Sequence, residues 1–265
     1  MNKRDRIYRT HAVVLSRRDY NDADRILRVF TPGSGKQELI AKGIRKTTSR
    51  KAGHLELFTH AALLVAQART WDIITEAATV ESFRYLREDL DAIGRASYLV
   101  ELVDSFSEAE NENLPLWDLL LFALRTLDEH SQGSTTYEPA LLLRWFELHL
   151  LTITGFQPQF FHCLACEEPL TPTTNFLSLA EGGVYCPNCG KGHHDVEPIE
   201  ADVLKILRFL QSRDWPEVRV LAARPTIMLR VENILYRYLL TVLERQPKSV
   251  EFLRKLQALV KQTIH

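Results

Sequence analysis

The hydrophobic residues of this chain change their spacing near Ser82, and this change limits the folds available to it. Upstream, the side chains from Ile7 to Leu15 follow a period of two, which is typical of β-strands. Downstream, apolar residues recur at the i, i+3, i+4 and i+7 positions from Leu99 to Phe106, which is helical spacing. The sequence therefore predicts a strand-rich head followed by a helical body.

The first 80 residues contain five short segments with strand character and no long helical segment. Turn-forming clusters, DYNDAD and GSG among them, separate several of these segments. Short strands at this spacing are typical of a small barrel or sandwich. The predicted strands are IYRTHAVVLSRR, RILRVFTP, KQELIAKGI, LFTHAALLVAQA and WDIITEA.

The helical body is interrupted from Gly155 to Pro198, a stretch that contains all four cysteines. Pro247 is expected to end the helix before it, and Ser249 to cap a last helix from Val250 to Thr263. We therefore predict an α+β multi-domain protein in three parts. These are a β-barrel domain over residues 1–80, a helical domain over 81–158 and 198–265, and a cysteine-bearing insert over 159–197.

The insert has two C-x-x-C pairs separated by nineteen residues, which matches the pattern of a structural zinc site. Each pair forms a tight turn whose two thiolates point the same way, so two pairs supply four sulfurs for one tetrahedral ion. With no open coordination position, such a metal is structural rather than catalytic. The predicted ligands of this single Zn²⁺ are Cys163, Cys166, Cys186 and Cys189.

Other roles for these cysteines remain open on the sequence alone. His162, His193 and His194 are close enough in sequence to replace a thiolate. Four reduced, uncoordinated cysteines are a second alternative. A redox-active pair is a weaker one, because no βαβ pattern surrounds either C-x-x-C.

The charges of the chain are distributed unevenly, although its net charge is only −1. Residues 1–51 hold fourteen Lys or Arg and five Asp or Glu, a net of +9, whereas the remaining 214 residues have a net of −10. Such a contrast between parts of one chain points to a polyanion-binding surface on the basic part.

The segment IAKGIRKTTSRKAGH holds five bases and no acid, and it falls between the third and fourth predicted strands. An isolated run of this kind is usually a solvated loop, but a small barrel and further bases accompany this one, which favours phosphate contacts. The predicted DNA-binding residues are Lys42, Arg45, Lys46, Arg50 and Lys51, helped by Arg9, Arg17, Arg18, Arg25 and Arg28 where these face outward. Candidate rings for base stacking are Tyr8, Tyr20, Phe30, Phe58 and Trp71.

Export and membrane insertion are not expected. The chain has no apolar run of transmembrane length, and its first residues, MNKRDRIYRTH, lack an apolar signal region. We therefore expect a cytoplasmic protein in a reducing compartment, where cysteines are free or metal-bound rather than paired in disulfides.

The sequence contains no complete catalytic motif, so the chain is not expected to be an enzyme. TPGSGKQ resembles the end of a phosphate-binding loop, but Phe30 takes the place of its first glycine and Gln37 that of its Ser or Thr. The carboxylates of DYNDAD lack the glycine and distal glutamate of a calcium loop. His11, His54 and His60 are lone histidines of the kind found more often in a core or on a surface than in a catalytic site.

Several segments, which occur in the same order along the chain, resemble the bacterial RecO family of recombination mediators. They are the stretch from AVVLSRRDYNDADRI to KGIRKTTSRKAGHLELFT, then SYLVELVD, FELHLLTITGFQP, the two C-x-x-C pairs with GGVYC, and KSVEFLRKL. Asn21 replaces a glycine usual in this family, and asparagine also tolerates a positive φ. Pro247 replaces a usual leucine, which leaves the local helix junction open.

This resemblance implies an N-terminal OB-fold barrel, an all-helical C-terminal domain and an inserted four-cysteine zinc-binding module. It also implies a non-enzymatic role in DNA repair and DNA recombination, with nucleoid association. Such proteins bind single- and double-stranded DNA and anneal complementary strands. With RecR they help RecA to load on DNA covered by the single-strand-binding protein SSB, whose C-terminal tail they contact.

Two rival functions can be distinguished from this one. A sequence-specific regulator whose zinc ribbon contacts DNA would concentrate bases on that ribbon, but residues 163–189 contain no Lys or Arg and include Glu167, Glu168 and Glu181. A zinc-stabilised nuclease would show magnesium-dependent cleavage.

Overall fold

The computed structural model describes residues 7–247 and residue 249. Within these, the chain forms two compact units: the first contains residues 7–135 with residues 247 and 249, and the second is Thr136–Gln246. The predicted fold class is confirmed, with a strand-rich N-terminal part, a helical C-terminal part and a module that brings the four cysteines together. The predicted three-part domain boundaries stay a prediction. The first of the two compact units contains helices as well as the strands of the N-terminal part.

Five strands in the first unit form a closed barrel in the order β1-β2-β3-β5-β4. The period-two segments of the sequence correspond to these strands, although β1 continues through Tyr20 and leaves only 21–23 for the turn. Their bounds are β1 Ile7–Tyr20, β2 Asp24–Thr31, β3 Gly35–Ala41, β4 His60–Ala66 and β5 Asp72–Glu81.

The barrel closes because β1 is long enough to pair with two neighbours. Its first half pairs with β4 and its second half with β2, and a bulge between Val14 and Ser16 lies near the change of partner. The opposite seam is a short parallel pairing of β3 with β5, at Leu39 with Asp72 and at Ile40 with Ile73. The core inside is apolar and includes Val14, Leu27, Val29, Leu39, Leu63, Val65 and Ile74.

Three helices complete the first unit: α1 Arg84–Glu88, α2 Leu90–Phe106 and α3 Leu114–Gln132. Asp89 begins α2 by accepting hydrogen bonds from the amides of Asp91 and Ala92. Asn113 caps α3 in the same way, and Gly133 ends α3 with a φ of +81°. Asn113 therefore marks the point where the connection between α2 and α3 enters α3.

The second unit packs helices against a four-stranded sheet of order β6-β8-β7-β9. Its strands are only three to five residues long, too short for a periodic pattern to show in the sequence. Their bounds are β6 Gln159–Cys163, β7 Asn175–Ser178, β8 Gly183–Tyr185 and β9 Glu197–Ile199. The helices are α4 Pro139–Ile153, α5 Pro187–Gly190, α6 Ala201–Ser212, α7 Trp215–Val218 and α8 Pro225–Leu243.

The end of α8 differs from the prediction. The helix ends at Leu243, before Pro247, because Glu244 adopts a left-handed conformation with a φ of +52°. Ser249 donates its hydroxyl to the carboxylate of Glu101, and the predicted helix from Val250 to Thr263 lies outside the described residues. No helix in the described part of the chain is long and apolar enough to cross a membrane.

Candidate metal centre and nucleic-acid interface

The four cysteines meet at one edge of the small sheet. Cys163 ends β6, Cys166 follows in the next turn, and Cys186 and Cys189 flank and enter the short helix α5. Their sulfur atoms all lie within 4.8 Å of one another. A tetrahedral zinc with bonds of about 2.3 Å holds its sulfurs about 3.8 Å apart, so this cluster needs little contraction to bind one ion.

The pKa values of these thiols indicate that the cluster favours a bound cation. Burial raises the pKa of Cys163, but amides of Cys166, Cys186 and Ala165 directed at its sulfur outweigh burial and bring the pKa to about 6. The neighbouring thiols of Cys186 and Cys166 raise the pKa of Cys189 to about 12. One thiolate is thus favoured, but the proximity of the other thiols opposes the deprotonation of a second. A metal ion that binds all four sulfurs would stabilise the four thiolates together.

The histidines considered as alternative ligands are not part of the sulfur cluster. Among the described residues, the group able to hold a metal consists of the four cysteines alone. His193 instead stacks on Tyr185, with ring centroids 4.1 Å apart. The candidate donor set is therefore four cysteine sulfurs, which is consistent with zinc.

Two glycines allow the close packing behind the sulfurs. A Cβ on Gly190 would lie 2.5 Å from the Phe176 side chain, and one on Gly183 would lie 2.7 Å from Leu164. Helix α5 and strand β8 therefore approach their neighbours more closely than any larger residue permits. This packing positions both C-x-x-C turns around one point.

The basic loop between β3 and β4 is anchored at both ends of its charged part. At the start, the amide of Gly43 donates to Asp24 Oδ1 at 2.7 Å, and the amide of Arg45 donates to the carbonyl of Ala23 at 2.9 Å. At the end, Lys51 Nζ donates to the carbonyl of Ile74 on β5 at 2.7 Å. The loop is therefore held between the β1–β2 turn and the start of β5.

The ten predicted DNA-binding residues differ in the partners that they have within the protein. Five form ion pairs: Arg17, Arg18, Arg25, Arg28 and Arg45. Lys51 is committed to a backbone carbonyl, and burial lowers its pKa. The remaining four are exposed and make no ion pair with any residue that the structure describes: Arg9, Lys42, Lys46 and Arg50.

Some of these residues are brought together and others are not. Arg25 and Arg45 converge on Asp19, at 2.8 and 3.5 Å, which brings the β1–β2 hairpin and the loop together. Arg17 instead pairs with Glu56, and both line one groove of the surface. Arg9 lines a separate groove formed by β1, β4 and β5. The structure thus places Arg9 and Arg17 in grooves of their own.

Arg28 has a structural partner that the sequence did not reveal. Its guanidinium bonds Glu38 on β3 at 2.9 Å and Asp104 on α2 at 3.0 Å. The hydrogen bond with Glu38 is the main reason that the pKa of Arg28 is raised. This arginine joins the barrel to α2, and DNA would have to displace two carboxylates to reach it.

Tyr8 is half-buried and donates its hydroxyl to Asp72 Oδ2 at 3.0 Å, and the other four candidate stacking rings fall into two groups. Phe30 and Phe58 are buried in the core of the first unit. Tyr20 and Trp71 lie half-buried with ring centroids 5.2 Å apart, and the Arg18 guanidinium lies 5.8 Å from the centre of the Trp71 ring. We call this surface the basic rim; it consists of Arg18, Tyr20, Lys42, Arg45, Lys46, Arg50 and Trp71.

Sequence reasoning missed a groove beside Trp71. It has a volume of about 540 Å³ and is lined by β2 and β3 residues that include Lys36 and Gln37, and by Thr70 and Trp71 before β5. Lys36 is one of the fourteen basic residues of the first 51, and its sequence context does not indicate that it lines a groove. The groove depends on the parallel pairing of β3 with β5, and no local pattern in the sequence signals that pairing.

The lone histidines have structural roles. His11 Nδ1 and His60 Nε2 are 2.9 Å apart, and His60 Nδ1 is 2.8 Å from Glu81, which also pairs with Arg125 of α3. Burial lowers the pKa of His60, with Glu81 opposing that change. This chain of contacts connects β1, β4 and β5 with α3.

The sequence matches two family models that together span most of its length. The model described as "Recombination protein O N terminal" matches residues 4–83, and the one described as "Recombination protein O C terminal" matches residues 87–251. A protein of Roseiflexus sp. named DNA repair protein RecO is 40% identical to this chain over 94% of this chain and 86% of that protein. One of Dehalococcoides mccartyi with the same name is 33% identical, over 94% and 96% of the two chains.

Proposed function

The chain belongs to the RecO family of DNA repair proteins, and from that premise we propose that it is a mediator of homologous recombination. In this role it binds single- and double-stranded DNA without sequence preference and anneals complementary strands. Its task is binding and not catalysis. It would act in the cytoplasm, in association with the nucleoid.

The observation that supports this proposal most is the basic rim. It combines unpaired cations on the β3–β4 loop with two half-buried rings and an arginine close to one of them. Cations neutralise phosphates and rings stack on bases, and neither contact depends strongly on base identity. Lys42, Lys46 and Arg50 are the first phosphate contacts in this proposal, and Arg45 and Arg18 join them when phosphate replaces their carboxylate partners.

Annealing follows from the same electrostatics. A cationic surface that holds two strands reduces the repulsion between their phosphates and raises their local concentration. Arg9 and Arg17 line grooves that contain none of the charged loop residues 42–51, so they are candidates to contact a second strand. The proposed partners are RecR and the C-terminal tail of SSB, and the action on RecA is indirect, through loading on SSB-coated DNA.

The metal has a structural role in this proposal. We assign one Zn²⁺ to Cys163, Cys166, Cys186 and Cys189, because all four sulfurs converge and no ligand position remains open. Bound zinc supplies cross-linking of β6 to α5 rather than chemistry. The cysteines hold the turns of the small sheet in place around it.

The proposal is tested by annealing of two complementary fluorescent oligonucleotides, with and without the protein, over a series of salt concentrations. We expect the protein to accelerate annealing of unrelated sequences to a similar extent and to lose this effect as salt rises. Oligonucleotides of the same length that cannot pair are the control for aggregation. Binding that is restricted to one sequence, or cleavage that requires magnesium, would contradict the proposal in favour of a regulator or a nuclease.

A further inference from the structure

The groove beside Trp71 is lined in part by the segment that joins α2 to α3. This segment, residues 107–113 with the sequence SEAENEN, joins α2 to α3, and we call it the acidic strap. Ala109 and Glu110 of the strap line the groove together with Lys36 and Trp71. A ligand in the groove therefore meets the strap directly.

The strap contacts the barrel through its backbone. The amide of Lys36 donates to the carbonyl of Glu108 at 3.1 Å, and Ala109 forms β-bridges with Gly35 and Lys36. The approach is close: a Cβ on Gly35 would lie 2.4 Å from the carbonyl oxygen of Asn111. The strap thus adds a short bridge at the beginning of β3, one that can be released without breaking the barrel seams.

The cations of the groove already have carboxylate partners from the protein. Asp104, at the end of α2, pairs with Arg28 at 3.0 Å and with Lys36 at 3.5 Å, and its carbonyl accepts a hydrogen bond from Lys36 Nζ at 2.5 Å. Glu38 pairs with Arg28 from the other side. These carboxylates occupy the positions that DNA phosphates need.

The carboxylates of the strap have no such structural duty. Glu108, Glu110 and Glu112 are exposed, and none makes an ion pair with a residue that the structure describes. Glu110 adds negative charge to the groove, and Glu108 and Glu112 lie within two residues of it in sequence. The other groups that line the groove include cations, an indole ring, the carboxylates of Glu38 and Asp72, and Gln37, whose buried side-chain oxygen has no hydrogen-bond partner among the described residues. The effect of the strap carboxylates on a nearby phosphate is repulsive at distances within a Debye length.

We propose that the acidic strap competes with single-stranded DNA for this groove, so that a strand held at the basic rim enters the groove only when the strap is displaced. This inference rests on the proposed function, since it assigns regulation to the same DNA surface. The strap would keep binding weak enough for strands to be exchanged during annealing. Its carboxylates repel the phosphates of DNA, whereas Asp104 and Glu38 are the ion-pair partners of the groove cations.

The experiment compares two triple variants of the full chain that change the net charge equally. Glu108→Gln, Glu110→Gln and Glu112→Gln neutralise the strap. The matched control neutralises three exposed carboxylates elsewhere, with Asp118→Asn, Glu129→Gln and Glu138→Gln. Affinity for a fluorescent oligothymidine is measured by anisotropy at one fixed salt concentration.

We expect the strap variant to bind about tenfold more tightly than the control, as three like charges are removed near the phosphates. The same three substitutions in a Trp71→Ala background should give a much smaller gain, because the groove then lacks its ring. Equal affinities for the strap and control variants would overturn the strap proposal while leaving DNA binding intact. If neither the unmodified protein nor the strap variant binds DNA at low salt, both the proposed function and this inference are wrong.

Discussion

Removal of zinc with a strong chelator is expected to unfold the cysteine-bearing sheet of the second unit and to leave the barrel folded. Structural zinc in small domains contributes about 10–16 kcal/mol of apparent binding free energy, which exceeds or equals the whole stability of many domains. The sheet that holds the cysteines has strands of only three to five residues and cannot supply that free energy by itself. Hydrogen exchange measured by mass spectrometry resolves the two units separately.

Substitution of one ligand distinguishes zinc loss from other effects of the chelator. Cys163→Ser should give the same loss of protection from hydrogen exchange in residues 159–199 as the chelator does. The purified variant should contain one equivalent of zinc per chain less than the unmodified protein. His162→Ala is the matched control, since His162 neighbours Cys163 but lies outside the sulfur cluster. Unchanged hydrogen exchange in the Cys163 variant, or zinc loss in the His162 variant, would show that the assigned ligands are wrong.

Reversal of four charges on the β3–β4 loop is expected to abolish DNA binding at moderate salt. The variant combines Lys42→Glu, Arg45→Glu, Lys46→Glu and Arg50→Glu, and leaves Lys51 intact because its ammonium group bonds the carbonyl of Ile74. Four phosphate contacts predict that affinity for single strands falls by about 50-fold when salt rises from about 50 to about 200 mM. The variant should lose both the affinity at low salt and most of this salt dependence.

A control with the same change in net charge shows whether location matters. Lys205→Glu, Arg213→Glu, Arg219→Glu and Arg224→Glu alter exposed residues that all belong to the second unit. Arg213 and Arg224 form ion pairs, but exposed ion pairs contribute little to stability, so the protein should stay folded. An equal loss of affinity in both variants would mean that net charge, and not the basic rim, controls binding.

The barrel was predictable because its strands are amphipathic and end at strong turns. The β1–β2 turn illustrates this: Asn21 was expected to tolerate a positive φ, and its φ is +49°. The metal centre was predictable for a similar reason, since each C-x-x-C turn fixes two sulfurs locally. In both cases the information lies within a few neighbouring residues.

The roles of the individual arginines were not predictable in this way. Arg28 and Asp104 are 76 residues apart in sequence, and only the packing of α2 on the barrel makes them partners. The bond between Lys51 and Ile74 likewise depends on how the loop crosses β5. A charge run indicates where cations are concentrated, but tertiary contacts decide which of them are free.

The small sheet and the strap were missed for a different physical reason. Strands β7 to β9 are held by the cysteine turns and by pairing with one another, so their residues need no strong periodic pattern. The SEAENEN segment has the composition of a solvated loop, and its bridge to Gly35 uses backbone atoms only. Neither feature is encoded by side-chain spacing.

DNA is expected to lie against the basic rim of the barrel, and a hydrogen-exchange footprint locates the amides that it covers. Amide exchange of the full chain is measured with and without a saturating single-stranded oligonucleotide at low salt. We expect protection in the β1–β2 turn at 21–23, in the loop at 42–51 and in the β4–β5 loop at 67–71. Protection confined to residues 163–189, with no change at these three loops, would show that DNA binds the zinc module and not the basic rim.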